Sequence, residues 1–125
     1  MMPPKLLLVD DEEDFISALA ERLRIRNYDT RIVTSGEAAL LEIQKERPDI
    51  VLLDLKMPGM GGMETLMNIK AKDSSIDVIM VTGSVNSQVG EEALKAGATA
   101  HMVKPFDIEN LMDKLQDIRK KRGLD

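Results

Sequence analysis

The chain has no cysteine and no tryptophan, and only two phenylalanines, one tyrosine and one histidine among its 125 residues. Without thiols there is neither disulfide cross-linking nor thiolate chemistry, and so few rings offer no platform on which bases stack. No apolar run approaches the roughly 20 residues that span a bilayer, and Leu6 to Val9 is too short for a signal-peptide core. No membrane partner is therefore expected, and the expected location is the cytoplasm. Nor is there a surplus of positive charge. Seventeen Lys and Arg against 22 Asp and Glu leave a net charge of −5, the wrong sign for holding nucleic acid by neutralising phosphates. The one basic cluster, Arg119 to Arg122, falls at the end of a predicted helix, where cations complement the helix dipole. Missing too is a glycine-rich loop after the first aliphatic run, which argues against nucleotide binding.

What the chain does have is 43% hydrophobic and 31% charged residues, enough for one core and too little for two. One domain is expected over 1–125, with 5–122 the fold proper and 123–125 a tail or the start of a linker. The pattern is organised around Pro48 to Gly62. Pro48 stops the preceding helix, Ile50 to Leu53 reads as a strand buried on both faces, and Asp54 ends it. Met57-Pro58-Gly59 and the glycines at 61 and 62 then reverse the chain within a few residues. A carboxylate at the mouth of a buried strand is costly unless something pairs with it.

Similar units recur along the chain. Lys5 to Val9 is an aliphatic run that stops at Asp10 and Asp11. An amphipathic helix follows, with Ile16, Leu19, Ala20 and Leu23 on one face and Asn27 as its stop. Thr30 to Val33 is a short strand. Thr34-Ser35-Gly36-Glu37 fits a capping box for a helix that buries Ala39, Leu40 and Ile43. Met63, Leu66 and Met67 mark a third helix, their methionines read as core filling. Val78 to Val81 is a strand ended by Thr82. Gly83 to Asn86 form a loop before a helix from Ser87 to Ala96, whose thin apolar face makes it the least firmly anchored of the set. Ala98 to Val103 is the last strand, ending at Lys104-Pro105, and Asp107 caps the last helix. Such alternation implies an α/β fold, a doubly wound five-stranded parallel sheet with helices on both faces. The three most apolar runs belong in its middle, which favours the order 2-1-3-4-5.

In an open parallel sheet, ligands gather outside the carboxyl ends of the strands. Asp10, Asp54, Thr82 and Lys104 all stand there. Crowded carboxylates repel one another, and a divalent cation relieves that; hard oxygen ligands with open positions suit Mg²⁺. A carboxylate nucleophile beside Mg²⁺, a Lys ammonium and a Thr hydroxyl has what phosphoryl transfer requires.

These residues carry a resemblance. Val9-Asp10-Asp11, Leu53-Asp54-Leu55-Lys56-Met57-Pro58-Gly59-Met60-Gly61-Gly62, Val81-Thr82-Gly83 and Val103-Lys104-Pro105-Phe106 resemble the receiver domain of two-component response regulators, over essentially the whole chain. The resemblance implies a flavodoxin-like fold and a signalling switch in which Asp54 accepts phosphate from a sensor histidine kinase. Asp10, Asp11 and Asp54 would hold Mg²⁺ together with the backbone carbonyl of Lys56. Thr82 and Lys104 would bind phosphoryl oxygens, and a cis peptide would precede Pro105. The output surface would be the helix from Ser87, the last strand and the last helix, meeting a downstream effector, an output domain or, after phosphorylation, a second copy through the 87–122 face. His101 stands where the family often has Tyr or Phe as a rotameric switch; its imidazole could do that work or be an exposed edge-strand side chain.

Two other readings compete. An aspartyl-phosphate phosphohydrolase of the haloacid dehalogenase kind needs a second Asp two residues beyond its nucleophile, whereas Glu12 follows Asp10 and Lys56 follows Asp54 at that spacing, and no cap domain is present. A constitutive interaction module of the same fold would not need Asp54, Thr82 and Lys104 intact. The chain is expected to catalyse nothing beyond its own phosphorylation and dephosphorylation.

Overall fold

The computed structural model describes residues 3–83 and 87–123; the expected loop residues 84–86 and tail residues 124–125 lie outside the described residues. Among the described residues five strands and five helices alternate: β1 (Lys5–Val9), α1 (Glu13–Ile25), β2 (Asp29–Val33), α2 (Gly36–Lys45), β3 (Ile50–Asp54), α3 (Gly62–Lys72), β4 (Asp77–Thr82), α4 (Ser87–Lys95), β5 (Ala100–Val103) and α5 (Ile108–Arg122). All strand pairs are parallel, in the order β2-β1-β3-β4-β5.

The central strands are apolar throughout because successive side chains enter two different cores. Leu6, Leu8, Ile50, Leu52, Ile79 and Val81 face α1 and α5, where they meet Ile16, Leu19, Leu23, Leu111, Leu115 and Ile118. Leu7, Val9, Val51, Leu53, Val78 and Met80 face the other way, toward Ala39, Ile43, Leu66, Ile69 and Ala93. A one-residue slip of any central strand would exchange these sets. Truncating one of these fully buried leucines to alanine would cost about 2–5 kcal/mol.

Some local expectations are corrected. The N-cap of α2 is Ser35, whose side chain accepts from the Ala38 N–H. The Thr34–Glu37 capping box therefore does not form, since with Ser35 as cap the reciprocal position falls on alanine. Met67 is 60% exposed, and the buried side of α3 is Thr65, Leu66 and Ile69. β5 begins two residues late, because the Ala98 N–H closes α4 onto Ala93 and the Thr99 N–H bonds the Val78 carbonyl. Asn27 sits at φ 67°, consistent with its reading as a helix stop.

The basic end of α5 is fastened as well as dipole-matched. Arg122 donates to the Ser75 carbonyl at 2.6 Å and to Asp77 at 2.8 Å, and Arg119 donates to the Tyr28 hydroxyl at 3.2 Å. The last helix is thus pinned beneath the amino ends of β2 and β4, leaving the opposite end of the sheet for chemistry.

Candidate functional site at the carboxyl end of the sheet

Asp10, directly after β1, is only 3% exposed. Its Oδ1 accepts the Glu12 backbone N–H at 2.9 Å and its Oδ2 accepts the Lys104 ammonium at 2.7 Å. Asp54 closes β3 at 6% exposure, while Asp11 is exposed. Each of the three offers a carboxylate oxygen within 4.8 Å of the others. Parallel pairing brings them together: Val9 lies beside Leu53 in register, so the residues that follow both strands share one mouth.

The turn after Asp54 leaves no latitude. The Leu55 N–H bonds the Val81 carbonyl, and the Gly62 N–H bonds the Leu55 carbonyl at 2.9 Å. A Cβ on Gly62 would lie 2.4 Å from the Asp54 carbonyl oxygen and 2.6 Å from the Leu55 Cα, so only glycine lets α3 start this close to β3. Gly59 takes φ 73° within the same turn. The loop opens a solvent-facing depression lined by Asp11, Leu55, Lys56, Met57 and Pro58.

Burial pushes the Asp54 carboxyl up from the ordinary 3.8 to about 6, and the neighbouring Asp10 charge adds to it; Lys104 and the Lys56 backbone N–H pull it back only in part. Burial would lower the Lys104 ammonium, but hydrogen bonds to Asp10 and Glu12 and the charges of Asp10 and Asp54 outweigh it and hold the group above its ordinary value. The carboxylates of Asp10, Asp11 and Asp54 outnumber the Lys104 ammonium and leave the mouth negative. Their all-oxygen donor set and remaining net charge fit a hard divalent cation.

Lys104 follows β5, its backbone N–H bonded to the Thr82 carbonyl at 2.7 Å, and the peptide to Pro105 is cis. Its Nζ is 4.0 Å from Asp54 Oδ1. Thr82, 1% exposed at the end of β4, has its hydroxyl 3.1 Å from His101 Nε2. His101 is therefore half-buried and turned toward Thr82, which removes the reading of an exposed edge-strand side chain. Two contacts escape reading from sequence. Glu12 also binds Lys104, at 2.9 Å, and the Phe15 ring lies 4.5 Å from its ammonium. Only their place at the start of α1, Glu12 at its N-cap and Phe15 in its first turn, next to the Asp10-Asp11 pair, could have signalled them.

A family model described as "Response regulator receiver domain" matches residues 6–116. The chain belongs to the response-regulator receiver family. The Bacillus subtilis sporulation initiation phosphotransferase F is 41% identical over 113 residues, covering 90% of this chain and 91% of that protein. The Mycobacterium tuberculosis sensory transduction protein RegX3 is 36% identical over 120 residues, 96% of this chain but only 52% of RegX3. Among solved structures, a CheY-like receiver domain protein from Methanospirillum hungatei superposes with a TM-score of 0.90 at 26% identity, covering 98% of this chain and 99% of that one. This receiver domain is thus a two-component signalling switch of the doubly wound, flavodoxin-like fold, and neither the phosphohydrolase nor the constitutive-module reading is favoured. Among the described residues no helix is long and apolar enough to cross a membrane.

Proposed function

We propose that Asp54 is the phosphoryl acceptor and that its donor is a phosphohistidine on a sensor kinase. One carboxylate oxygen of Asp54 forms the bond to phosphorus as the phosphorus–nitrogen bond breaks, and the imidazole leaves with the electron pair. Asp10, Asp11, Asp54 and the backbone carbonyl of Lys56 would hold Mg²⁺, which when bound supplies charge neutralisation at the phosphoryl oxygens. Lys104 moves from Asp10 to a phosphoryl oxygen, and the Thr82 hydroxyl turns to donate to another. Water later attacks the acyl phosphate, restoring the carboxylate and releasing inorganic phosphate, so self-catalysed gain and loss of phosphate is the only chemistry.

Drawing Thr82 inward frees His101, which acts as the switch and passes the change to α4, β5 and α5. That 87–122 face meets a downstream effector, an output domain or a second copy, without direct nucleic-acid contact. The receiver is one unit over 5–122, with 123–125 a tail or linker start, working in the cytoplasm.

The single observation that supports this reading most strongly is the Lys104 ammonium 2.7 Å from Asp10 and 4.0 Å from Asp54, joining the ends of β1, β3 and β5. The test is phosphotransfer from a histidine kinase loaded with γ-labelled ATP. Label should pass to the wild-type chain in the presence of Mg²⁺ and not to Asp54→Ala; equal labelling of both would overturn the reading.

A further inference from the structure

Lys104 does not rest on Asp54. Its Nζ is 2.7 Å from Asp10 Oδ2 and 2.9 Å from Glu12 Oε1, against 4.0 Å to the nearer Asp54 oxygen. The Phe15 ring covers a further side at 4.5 Å and is itself braced edge-on by Phe106, with centroids 6.1 Å apart at 85°. An ammonium has three N–H bonds, and two carboxylates and a ring face already surround this one. Glu12 is well placed for the task. It stands at the N-cap of α1 yet makes no side-chain cap hydrogen bond, and its backbone N–H is anchored on Asp10 Oδ1 at 2.9 Å. Its carboxylate, although the side chain is 65% exposed, reaches across to Lys104 instead of capping its own helix.

We propose that Glu12 is a positioning residue that parks Lys104 against Asp10 and Phe15, away from Asp54, and so restrains phosphorylation. The proposal rests on the roles given to Asp54 and Lys104 above. For the ammonium to meet a phosphoryl oxygen it must leave Glu12, and that contact exists only in the unphosphorylated state. Glu12 therefore stabilises the resting arrangement selectively, and an interaction made in the ground state and lost on reaction slows the step. Removing the carboxylate releases the ammonium without touching the proposed nucleophile or metal ligands. An ion pair with one exposed partner is weak, so the effect is a modest, regulatory one.

The experiment uses the whole 125-residue chain with acetyl phosphate and Mg²⁺, and beryllofluoride as an equilibrium probe. Glu12→Gln should raise the phosphorylation rate and tighten beryllofluoride about two- to fivefold, the range set by pairs of this kind. Glu13→Gln, the same charge change one residue on, should do neither. In a Lys104→Ala background the Glu12→Gln gain should vanish; a gain that persists there, or no gain in the wild-type background, overturns the proposal. The parking itself is read independently from the Lys104 side-chain ammonium resonance by ¹H–¹⁵N NMR, which should be protected from solvent exchange in wild type and lose that protection in Glu12→Gln. An unchanged ammonium signal overturns it even if rates move. A wild-type chain that binds no beryllofluoride while its ammonium signal still depends on Glu12 would instead sink the acceptor role of Asp54.

Discussion

His101 Nε2 lies 3.1 Å from the Thr82 hydroxyl, and the other edge of the same ring lies against the backbone of Gly90. A Cβ at position 90 would stand 2.5 Å from Nδ1 and 2.8 Å from Cε1. The absence of a side chain on α4 is thus what admits the imidazole to Thr82. Gly90→Ala should displace the ring and break its contact with Thr82. The helix gains about 0.5–1 kcal/mol from replacing a mid-helix glycine, which roughly offsets a lost hydrogen bond of about 1 kcal/mol. Stability should therefore change little while the His101 ring resonances shift strongly; unchanged ring resonances would show that Gly90 does not gate the ring.

Thr82 should separate loading from response. In Thr82→Ala, phosphate uptake from acetyl phosphate should fall only a few-fold, because in the proposed reaction attack depends on Asp54 and Lys104. The chemical-shift changes of His101 and α4 that follow beryllofluoride binding should shrink markedly. Equal changes in Thr82→Ala and wild type would rule out a relay through Thr82.

The buried Asp54 makes the metal-free domain pH-sensitive. Its folded value of about 6 lies above the ordinary 3.8, so between them the folded state binds more protons than the unfolded state, and stability falls as pH rises through that window. The full penalty is present above about pH 6 and is absent below about pH 4. At about 1.4 kcal/mol per pH unit, the difference corresponds to about 3 kcal/mol as an upper figure. With metal chelated, denaturant unfolding of Asp54→Asn should show a gain of about 1–3 kcal/mol at pH 7 that disappears near pH 4. A gain independent of pH would assign it to packing instead of charge.

Asp11 is the exposed member of the carboxylate trio, so its charge can be removed with little loss of packing. Asp11→Asn should stabilise the metal-free domain by ~1 kcal/mol. Mg²⁺ at a hundredfold excess over Kd should stabilise wild type by about 2.7 kcal/mol and Asp11→Asn by clearly less. Equal gains in thermal unfolding would exclude Asp11 from the metal site.

The strand ends were legible in the sequence because a strand buried on both faces is an unbroken aliphatic run. The first polar residue beyond each run, Asp10, Asp54, Thr82 or Lys104, must then emerge where parallel strands gather. The register of that sheet follows from side chains that serve two cores. Less legible was anything set by contacts between elements. Ser35 and Thr34 are both capping residue types, and it is the start of α2 at Gly36 that makes Ser35 the cap. Met67 has the helical spacing of a core residue, yet Thr65 and Ile69 occupy the buried side of α3. The parts played by Glu12 and Gly90 left little sign in the sequence, since neither Lys104 nor His101 is near them in the chain.

The central claim, that Asp54 alone accepts the phosphoryl group, is tested most directly by intact-mass analysis after treatment with acetyl phosphate and Mg²⁺. Wild type should carry one phosphoryl adduct that hydroxylamine removes, as an acyl phosphate requires, and Asp54→Ala should carry none. An adduct that persists in Asp54→Ala, or one that resists hydroxylamine, would contradict the account.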